Sequence, residues 1–162
     1  MTNFSSFSGR VVNIERFSNN RRDTSCNLLF SITDNNDRTL LFIVTPSTYF
    51  LNHVTVHVGD CVDCFYDPRS ARQQDSRTPA FCAIVIAIQS RYENVIVDFF
   101  NRNLVNQNRT IQLNLSTDTL ILLTNAQEFI GNLGNRNLVV VYACTTRNRL
   151  TRIVPTEVVV LC

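Results

Sequence analysis

The sequence predicts an all-β protein of two tandem five-stranded Greek-key barrels that are related by internal duplication. Three observations lead to this fold class: a repeated stretch of sequence, short alternating apolar runs between turn residues, and the lack of any long stretch with helical periodicity. Five strands in about 80 residues, with a crossover between the third and the fourth, is the layout of a small Greek-key barrel.

The clearest repeat pairs Arg38–Thr48 with Arg109–Thr119, 71 positions further along. Both copies follow an Asn-rich turn, alternate large apolar residues and stop at a Ser/Thr cluster. Two later blocks repeat at an offset of 76, which pairs Gly59–Tyr66 with Asn135–Tyr142 and Pro79–Ile86 with Pro155–Cys162. Three blocks in one order predict a tandem duplication.

The strands of each half follow from period-2 alternation and turn residues. In the first half, Asp34-Asn35-Asn36-Asp37 marks a hairpin turn. The predicted strands there are Gly9–Phe17, Cys26–Thr33, Arg38–Val44, Gly59–Tyr66 and Pro79–Ile88. In the second half they are Asn94–Phe100, Arg109–Leu115, Asn137–Ala143 and Thr156–Leu161, with a loop or a shortened strand and turn at Asn101–Asn108. We therefore expect an N-terminal arm over residues 1–8, a first barrel over 9–90 and a second over 91–162.

Each half resembles an OB-fold. The resemblance rests on a Gly-led first strand (Gly9), a hairpin, a crossover, the entry Val58-Gly59-Asp60-Cys61-Val62 to the fourth strand, and an apolar last strand. In the second half Asn135-Arg136 stands in place of Gly-Asp. The resemblance implies two OB-like barrels, whose loops after the first strand and before the last one flank an oligonucleotide groove. The chain also resembles uncharacterised proteins of spore-forming bacteria.

The composition is that of a globular protein, with 44% hydrophobic and 17% charged residues. The net charge is only +2 and every basic residue is Arg, which is not the strong basic excess of a dedicated duplex-binding protein. Arg without Lys suits bidentate pairing with carboxylates. No apolar run approaches about 18 residues, so we expect no membrane span.

The cysteine content predicts a change of redox surroundings. The start MTNFSSFSGR is not a secretory signal, so we expect synthesis in the cytoplasm, where six Cys are unusual. Later exposure to oxidant at a spore or cell surface explains both features. Cys61 and Cys64 have metal-site spacing, but on a strand they point to opposite faces, which disfavours zinc. The candidates for disulfides between subunits are Cys26, Cys61, Cys64, Cys144 and Cys162.

Arginines cluster in the two loops that an OB-fold places beside its groove. The candidate interface or oligonucleotide contacts are Arg21, Arg22, Arg69, Arg72, Arg77, Arg147, Arg149 and Arg152. Tyr49, Phe65 and Tyr66 are candidate stacking surfaces for single-stranded nucleic acid. The alternative is that the Arg loops pair with acids on a neighbouring subunit.

No catalytic constellation, phosphate-binding loop or metal-ligating cluster stands out, so we expect no enzyme, metal or cofactor. We expect a structural self-assembling subunit of an extracellular or spore-surface filament or layer. Strand-edge contacts, Arg–carboxylate contacts and disulfides would hold it together, and the arm would add a strand to a neighbouring subunit. The alternative is a single-stranded nucleic-acid-binding tandem OB-fold protein.

Overall fold

The computed structural model describes residues 2–17, 26–73, 78–144 and 151–162. The chain is all-β and forms two compact units. We call Phe4–Gln89 the barrel unit, and Met1–Asn3 together with Ser90–Cys162 the open unit. The strands of the barrel unit are β1 (Ser5–Arg16), β2 (Leu28–Thr33), β3 (Thr39–Val44), β4 (Tyr49–Phe50), β5 (Cys61–Tyr66), β6 (Arg72–Gln73) and β7 (Pro79–Ile88). Those of the open unit are β8 (Glu93–Phe100), β9 (Ile111–Leu113), β10 (Leu120–Leu123), β11 (Arg136–Ala143), β12 (Thr151–Ile153) and β13 (Glu157–Leu161).

The barrel unit contains a closed five-stranded barrel. The strand order around it is β1, β2, β3, β7, β5 and back to β1. Only β3 and β7 run parallel within this ring; the other neighbours are antiparallel. This arrangement is compatible with an OB-like fold, as the sequence predicts for this half.

Strand β1 pairs with two neighbouring strands, and this closes the ring. Residues 5–10 pair with β5, and residues 10–16 pair with β2. At Gly9 a Cβ atom would overlap the carbonyl group of Thr33, 2.7 Å from its carbon, so this crossing needs glycine. The strand begins at Ser5 rather than Gly9, so half of the segment predicted as an arm lies in the barrel.

An aromatic cluster fills the barrel. Phe42 packs edge-on against Tyr66 with ring centroids 5.1 Å apart, and Tyr66 lies 4.8 Å from Phe81. The predicted β2–β3 hairpin is confirmed, and Asp34 fixes its turn because its Oδ1 accepts from the backbone N–H groups of Asn36 and Arg38, each at 2.9 Å.

One turn of the barrel unit and one turn of the open unit have the same pattern of hydrogen bonds. The N–H of Thr45 donates to Oγ1 of Thr48 at 3.0 Å, and Thr48 Oγ1 donates to the Ala83 carbonyl at 2.9 Å. In the open unit the N–H of Ser116 donates to Oγ1 of Thr119 at 3.1 Å, and Thr119 Oγ1 donates to the Pro155 carbonyl at 2.7 Å. Thr119 therefore joins its turn to the last strand segment of the open unit by the same hydrogen bonds that Thr48 makes in the barrel unit.

Strand pairings of the barrel unit also recur in the open unit. The matched pairs are Phe42–Phe81 with Leu113–Ile153, Phe50–Ile86 with Ile121–Val158, Cys64–Ile86 with Val140–Val158, and Phe7–Cys64 with Ile96–Val140. The last strand matches at an offset of 72, not 76. The alignment of Pro79 with Pro155 is therefore wrong by four residues.

The open unit is not a closed barrel, so the predicted pair of closed barrels reduces to one. Within residues 90–144 and 151–162, the strands form a four-stranded sheet in the order β10, β13, β11, β8 and a separate parallel pair of β9 and β12. The segment between β8 and β9 forms turns because Asn side chains bind its backbone: Asn101 Oδ1 accepts from Asn103 and Val105, and Asn106 Oδ1 from Thr110 and Ile111. No counterpart of β2 forms there. Only single bridges remain, from Phe100 to Asn106 and from Val105 to Gln112.

Candidate assembly surface

Strand β8 is an edge strand of the open unit. All eight of its residues pair with β11, from Glu93 opposite Ala143 to Phe100 opposite Arg136. The N–H of Cys144 donates to the carbonyl of Tyr92 at 3.1 Å, which identifies these two residues as a hydrogen-bonded pair. Because such pairs alternate along an antiparallel ladder, the backbone groups of Glu93, Val95, Val97 and Phe99 point away from β11.

One end of this edge is closed by a side chain. The outward N–H of Phe99 donates to Oδ1 of Asp98 at 2.8 Å, and Nε2 of Gln107 donates to the same oxygen at 3.2 Å. Burial raises the pKa of Asp98, and its hydrogen bonds to residues 99 and 107 oppose that rise. The edge that remains without a strand partner in the described chain is therefore Glu93–Val97, which we call the β8 edge.

The β8 edge carries little of the usual protection of an edge strand. Natural sheets place charged side chains, above all Lys, and Pro, bulges or short strands at their edges to prevent pairing with another chain. Here the stretch is Glu-Asn-Val-Ile-Val, in which Glu93 is the one charged residue and neither Lys nor Pro occurs, and Val95 and Ile96 are half-buried. Its backbone groups are therefore a template for an added strand.

Sequence reasoning predicted this strand but not its place at an edge. The signal was available in the spacing, because β8 and β9 are separated by Asn101–Thr110, whereas Arg16 and Thr39 in the barrel unit are separated by a stretch that holds β2. Ten residues hold a six-residue strand only if the turns at both of its ends have two residues each. The short spacing therefore favoured the loop or shortened strand and turn predicted at Asn101–Asn108.

All six cysteines are free, and the structure separates the candidate thiols by accessibility. Cys61 and Cys64 point to opposite faces of β5, as predicted. Cys64 is fully buried in the barrel core, where burial raises the pKa of its thiol. It is therefore not accessible to a neighbouring subunit. Cys61 lines a cleft of about 330 Å³ and lies directly opposite Arg10 across the strands.

Cys144 and Cys162 lie at opposite ends of the four-stranded sheet. Cys144 follows β11, whereas Cys162 follows Leu161, which pairs with Asn137 near the start of β11. The two levels are separated by eight residues of strand, or about 26 Å at about 3.3 Å per residue. A disulfide needs Cα atoms within about 7 Å, so these exposed thiols can bond only to a different partner.

The same argument separates Cys26 from Cys61 in the barrel unit. Cys26 precedes Asn27, whose carbonyl accepts from the N–H of Phe17, and Cys61 pairs with Arg10. The stretch of β1 between these levels spans about 20 Å. These two thiols therefore cannot bond to each other in this fold.

The predicted arginine contacts divide into three groups. Arg69 is engaged locally, with its Nη2 at 3.0 Å from Oδ2 of Asp67. Arg72 and Arg152 are exposed and have no ion-pair partner among the residues that the structure describes. Arg21, Arg22, Arg77, Arg147 and Arg149 lie outside the described residues.

The barrel does not present an aromatic groove for nucleic acid in its described part. Tyr49, Phe65 and Tyr66, the predicted stacking surfaces, are all buried. The outer face of β2 and β3, which OB-folds use for oligonucleotides, is apolar here. Leu29 and Ile43 on that face are only 5% and 1% exposed and pack with Phe17 and Ala80.

No family model matches this chain, and neither the curated proteins nor the solved structures searched contain a match. The resemblance to proteins of spore-forming bacteria has no support from these comparisons. Among the described residues, no helix is long and apolar enough to cross a membrane.

Proposed function

We propose that this chain is a structural self-assembling subunit of an extracellular or spore-surface filament or layer. The observation that carries the proposal is the β8 edge, where Glu93, Val95 and Val97 direct backbone donors and acceptors away from the sheet. A strand from a neighbouring copy would satisfy these groups, which is the usual mode of β-strand addition.

The exposed charges and thiols support the same function. Arg72 and Arg152 carry guanidinium groups that can pair with carboxylates of a second copy. Cys144 and Cys162 sit at opposite ends of one sheet, so disulfides through both of them would join successive copies. Synthesis with free thiols in the cytoplasm, followed by oxidation at a spore or cell surface, is consistent with this locking step.

We also propose that the two units derive from one duplicated OB-like barrel. The repeated Thr48 and Thr119 turns and the four matched strand pairings support it. In this view, the open unit lost its second strand, and this loss exposed the edge that assembly uses.

Single-stranded nucleic-acid binding is the second candidate. It rests on the arginines of the two predicted loops, of which Arg69, Arg72 and Arg152 lie in the described part of the chain and are exposed. Arg72 and Arg152 lie in the short strands β6 and β12 and not in loops as predicted. The buried aromatic residues and the apolar β2–β3 face favour assembly over this alternative. Nucleic-acid binding predicts a raised 260 nm absorbance after purification and affinity for oligonucleotides that falls with salt.

The test changes one outward backbone donor on the β8 edge. Val95→Pro removes the N–H that points away from β11, while leaving the pairing with β11 intact. Loss of one hydrogen bond to the added strand, and of the close contact between that strand and β8, should raise the concentration needed for assembly about tenfold. Val95→Thr keeps the N–H and the β-branched shape and is the matched control.

Sedimentation velocity over a range of concentrations gives the readout. Wild type and Val95→Thr should shift together from small to large species, and Val95→Pro should remain small over the same range. Identical sedimentation of all three chains would show that the β8 edge does not contribute to assembly.

A further inference from the structure

The open unit contains a site that holds the residues preceding β1. Nε2 of Gln107 donates to the backbone carbonyl of Thr2 at 2.9 Å, and Nδ2 of Asn137 donates to Oγ1 of Thr2 at 3.2 Å. Gln107 also donates to Oδ1 of Asp98, so a single amide connects Thr2 to the carboxylate that closes the β8 edge. Two side chains from distant parts of the sequence therefore converge on one residue.

This site recognises its segment by hydrogen bonds, and one of its acceptor atoms is not used. Its two amide donors require a backbone carbonyl and a hydroxyl at the spacing that Thr2 provides. Oδ1 of Asn137 is buried and has no partner among the described residues. A buried unpaired acceptor is unfavourable, so the site has capacity for one more donor from the segment that occupies it.

The chain path makes this segment separable from its site. Met1–Asn3 belong to the open unit, but Phe4 already belongs to the barrel unit, and the chain returns to the open unit only at Ser90. Thr2, Asn3 and Phe4 are in neither helix nor strand. Rotation about this short connection can therefore release Thr2 without breaking a strand pairing of β1, which starts at Ser5.

We propose that this site binds the Thr2 segment, residues 2–4, of a second copy, so that neighbouring copies exchange their segments. The inference rests on the proposed self-assembly and names one of its contacts. Exchange makes the same hydrogen bonds that exist within one copy, which is why swapping an identical element between copies is a low-cost route to association.

Exchange also sets the kind of assembly. A reciprocal exchange between two copies closes a dimer, whereas a segment that passes from each copy to the next one along makes a contact between two different surfaces, which is heterologous. A heterologous contact that does not close into a ring propagates into a filament. The site therefore supplies directional growth, whereas the β8 edge supplies strand pairing.

The first experiment asks which chain provides Thr2. Two single variants, Thr2→Cys and Asn137→Cys, are mixed, allowed to assemble and treated with a short bifunctional thiol cross-linker. Mass spectrometry then looks for a peptide that joins residues 2 and 137 of different chains. The double variant Thr2→Cys/Asn137→Cys, cross-linked at low concentration, shows that the cross-linker spans the site within one chain.

A second experiment removes the site without adding a thiol. Gln107→Ala/Asn137→Ala should raise the concentration needed for assembly about tenfold or more, and its unfolding midpoint is measured alongside to show that the variant is folded under the conditions of the assay. Gln112→Ala is the matched control, because Gln112 is an amide of the same unit whose Nε2 donates to the Asn103 carbonyl instead. It should assemble as the wild type does.

The outcomes separate this inference from the proposed function. A peptide joining residues 2 and 137 of different chains, together with impaired assembly of the Gln107/Asn137 variant, supports exchange. Assembly of that variant at wild-type concentrations overturns exchange and leaves self-assembly standing. A wild-type chain that stays small at every concentration removes the proposed function and this inference together.

Discussion

Substitution of Gly9 by Ala should destabilise the barrel unit strongly, because the space for a Cβ atom is occupied by backbone. The added Cβ would overlap the Thr33 carbonyl, with the Thr33 carbon at 2.7 Å and the Asp34 nitrogen at 3.0 Å. An ordinary contact needs about 3.5 Å or more, so β1 and the hairpin must separate by close to 1 Å. This shift acts where β1 changes partners, at Arg10 opposite Thr33.

The expected cost follows from overpacking and from the weakened pairing. Overpacking alone costs about 1–3 kcal/mol, and the disturbed ladder adds about 1 kcal/mol more. We therefore expect Gly9→Ala to lose about 2–4 kcal/mol of unfolding free energy. Gly131→Ala is the matched control, because the three atoms nearest to a Cβ there all belong to the ring of Phe129, which is a side chain and not backbone.

Urea unfolding followed by circular dichroism measures the free energy of unfolding of both variants, and the slope m should be the same as in wild type. Gly9→Ala should shift the barrel transition to lower urea, while Gly131→Ala should stay within about 1 kcal/mol of wild type. A Gly9→Ala chain within about 0.5 kcal/mol of wild type would refute the close crossing of β1 over the hairpin.

Three further predictions concern other parts of the structure. Thr48→Val and Thr119→Val should each destabilise by about 1–2 kcal/mol, because each removes a hydroxyl that joins a turn to the last strand, and equal wild-type stability of either in urea would contradict this role. Burial raises the pKa of Asp98 above 3.8, so the stability that this carboxyl contributes is present below pH 3.8 and is lost as the pH rises through its folded-state pKa. Asp98→Asn should therefore make the free energy of unfolding depend less on pH in this range. The same pH dependence in Asp98→Asn and wild type would oppose the assignment. On non-reducing gels of oxidised protein, wild type should form ladders, Cys144→Ser and Cys162→Ser should each shorten them, and ladders of wild-type length in both variants would exclude these thiols.

The closed barrel was predictable because each of its signals is local. The Asp34–Asp37 turn, the alternation on either side of it and the Gly9 position each specify one feature of the ring. The second barrel was not predictable on the same grounds. Alternating apolar residues continue through β8, but the Asn101 and Asn106 side chains bind backbone groups that a second strand would have used.

The error in the last strand has a specific cause. Apolar alternation has a period of two, so a shift of four residues leaves every side chain on the same face of the sheet. The pattern around Pro155 therefore fits either offset equally well. The strand pairings and the hydrogen bond from Thr119 to the Pro155 carbonyl, which matches that from Thr48 to Ala83, identify the register.

Burial of the aromatic residues was beyond the reach of the sequence for a related reason. Phe65 and Tyr66 are neighbours on β5, and the pairing with β7 shifts register between them, so simple alternation does not assign their faces. Both are buried, with only 5% and 9% of their surface exposed. The candidate stacking surface disappears as a consequence.

The central claim is that this chain assembles. Electron microscopy of the purified protein tests it most directly, at low and high concentration, oxidised and with reductant. The account predicts regular fibres or sheets at high concentration, with reductant shortening or dispersing those that disulfides lock. Uniform small particles under all four conditions would contradict it.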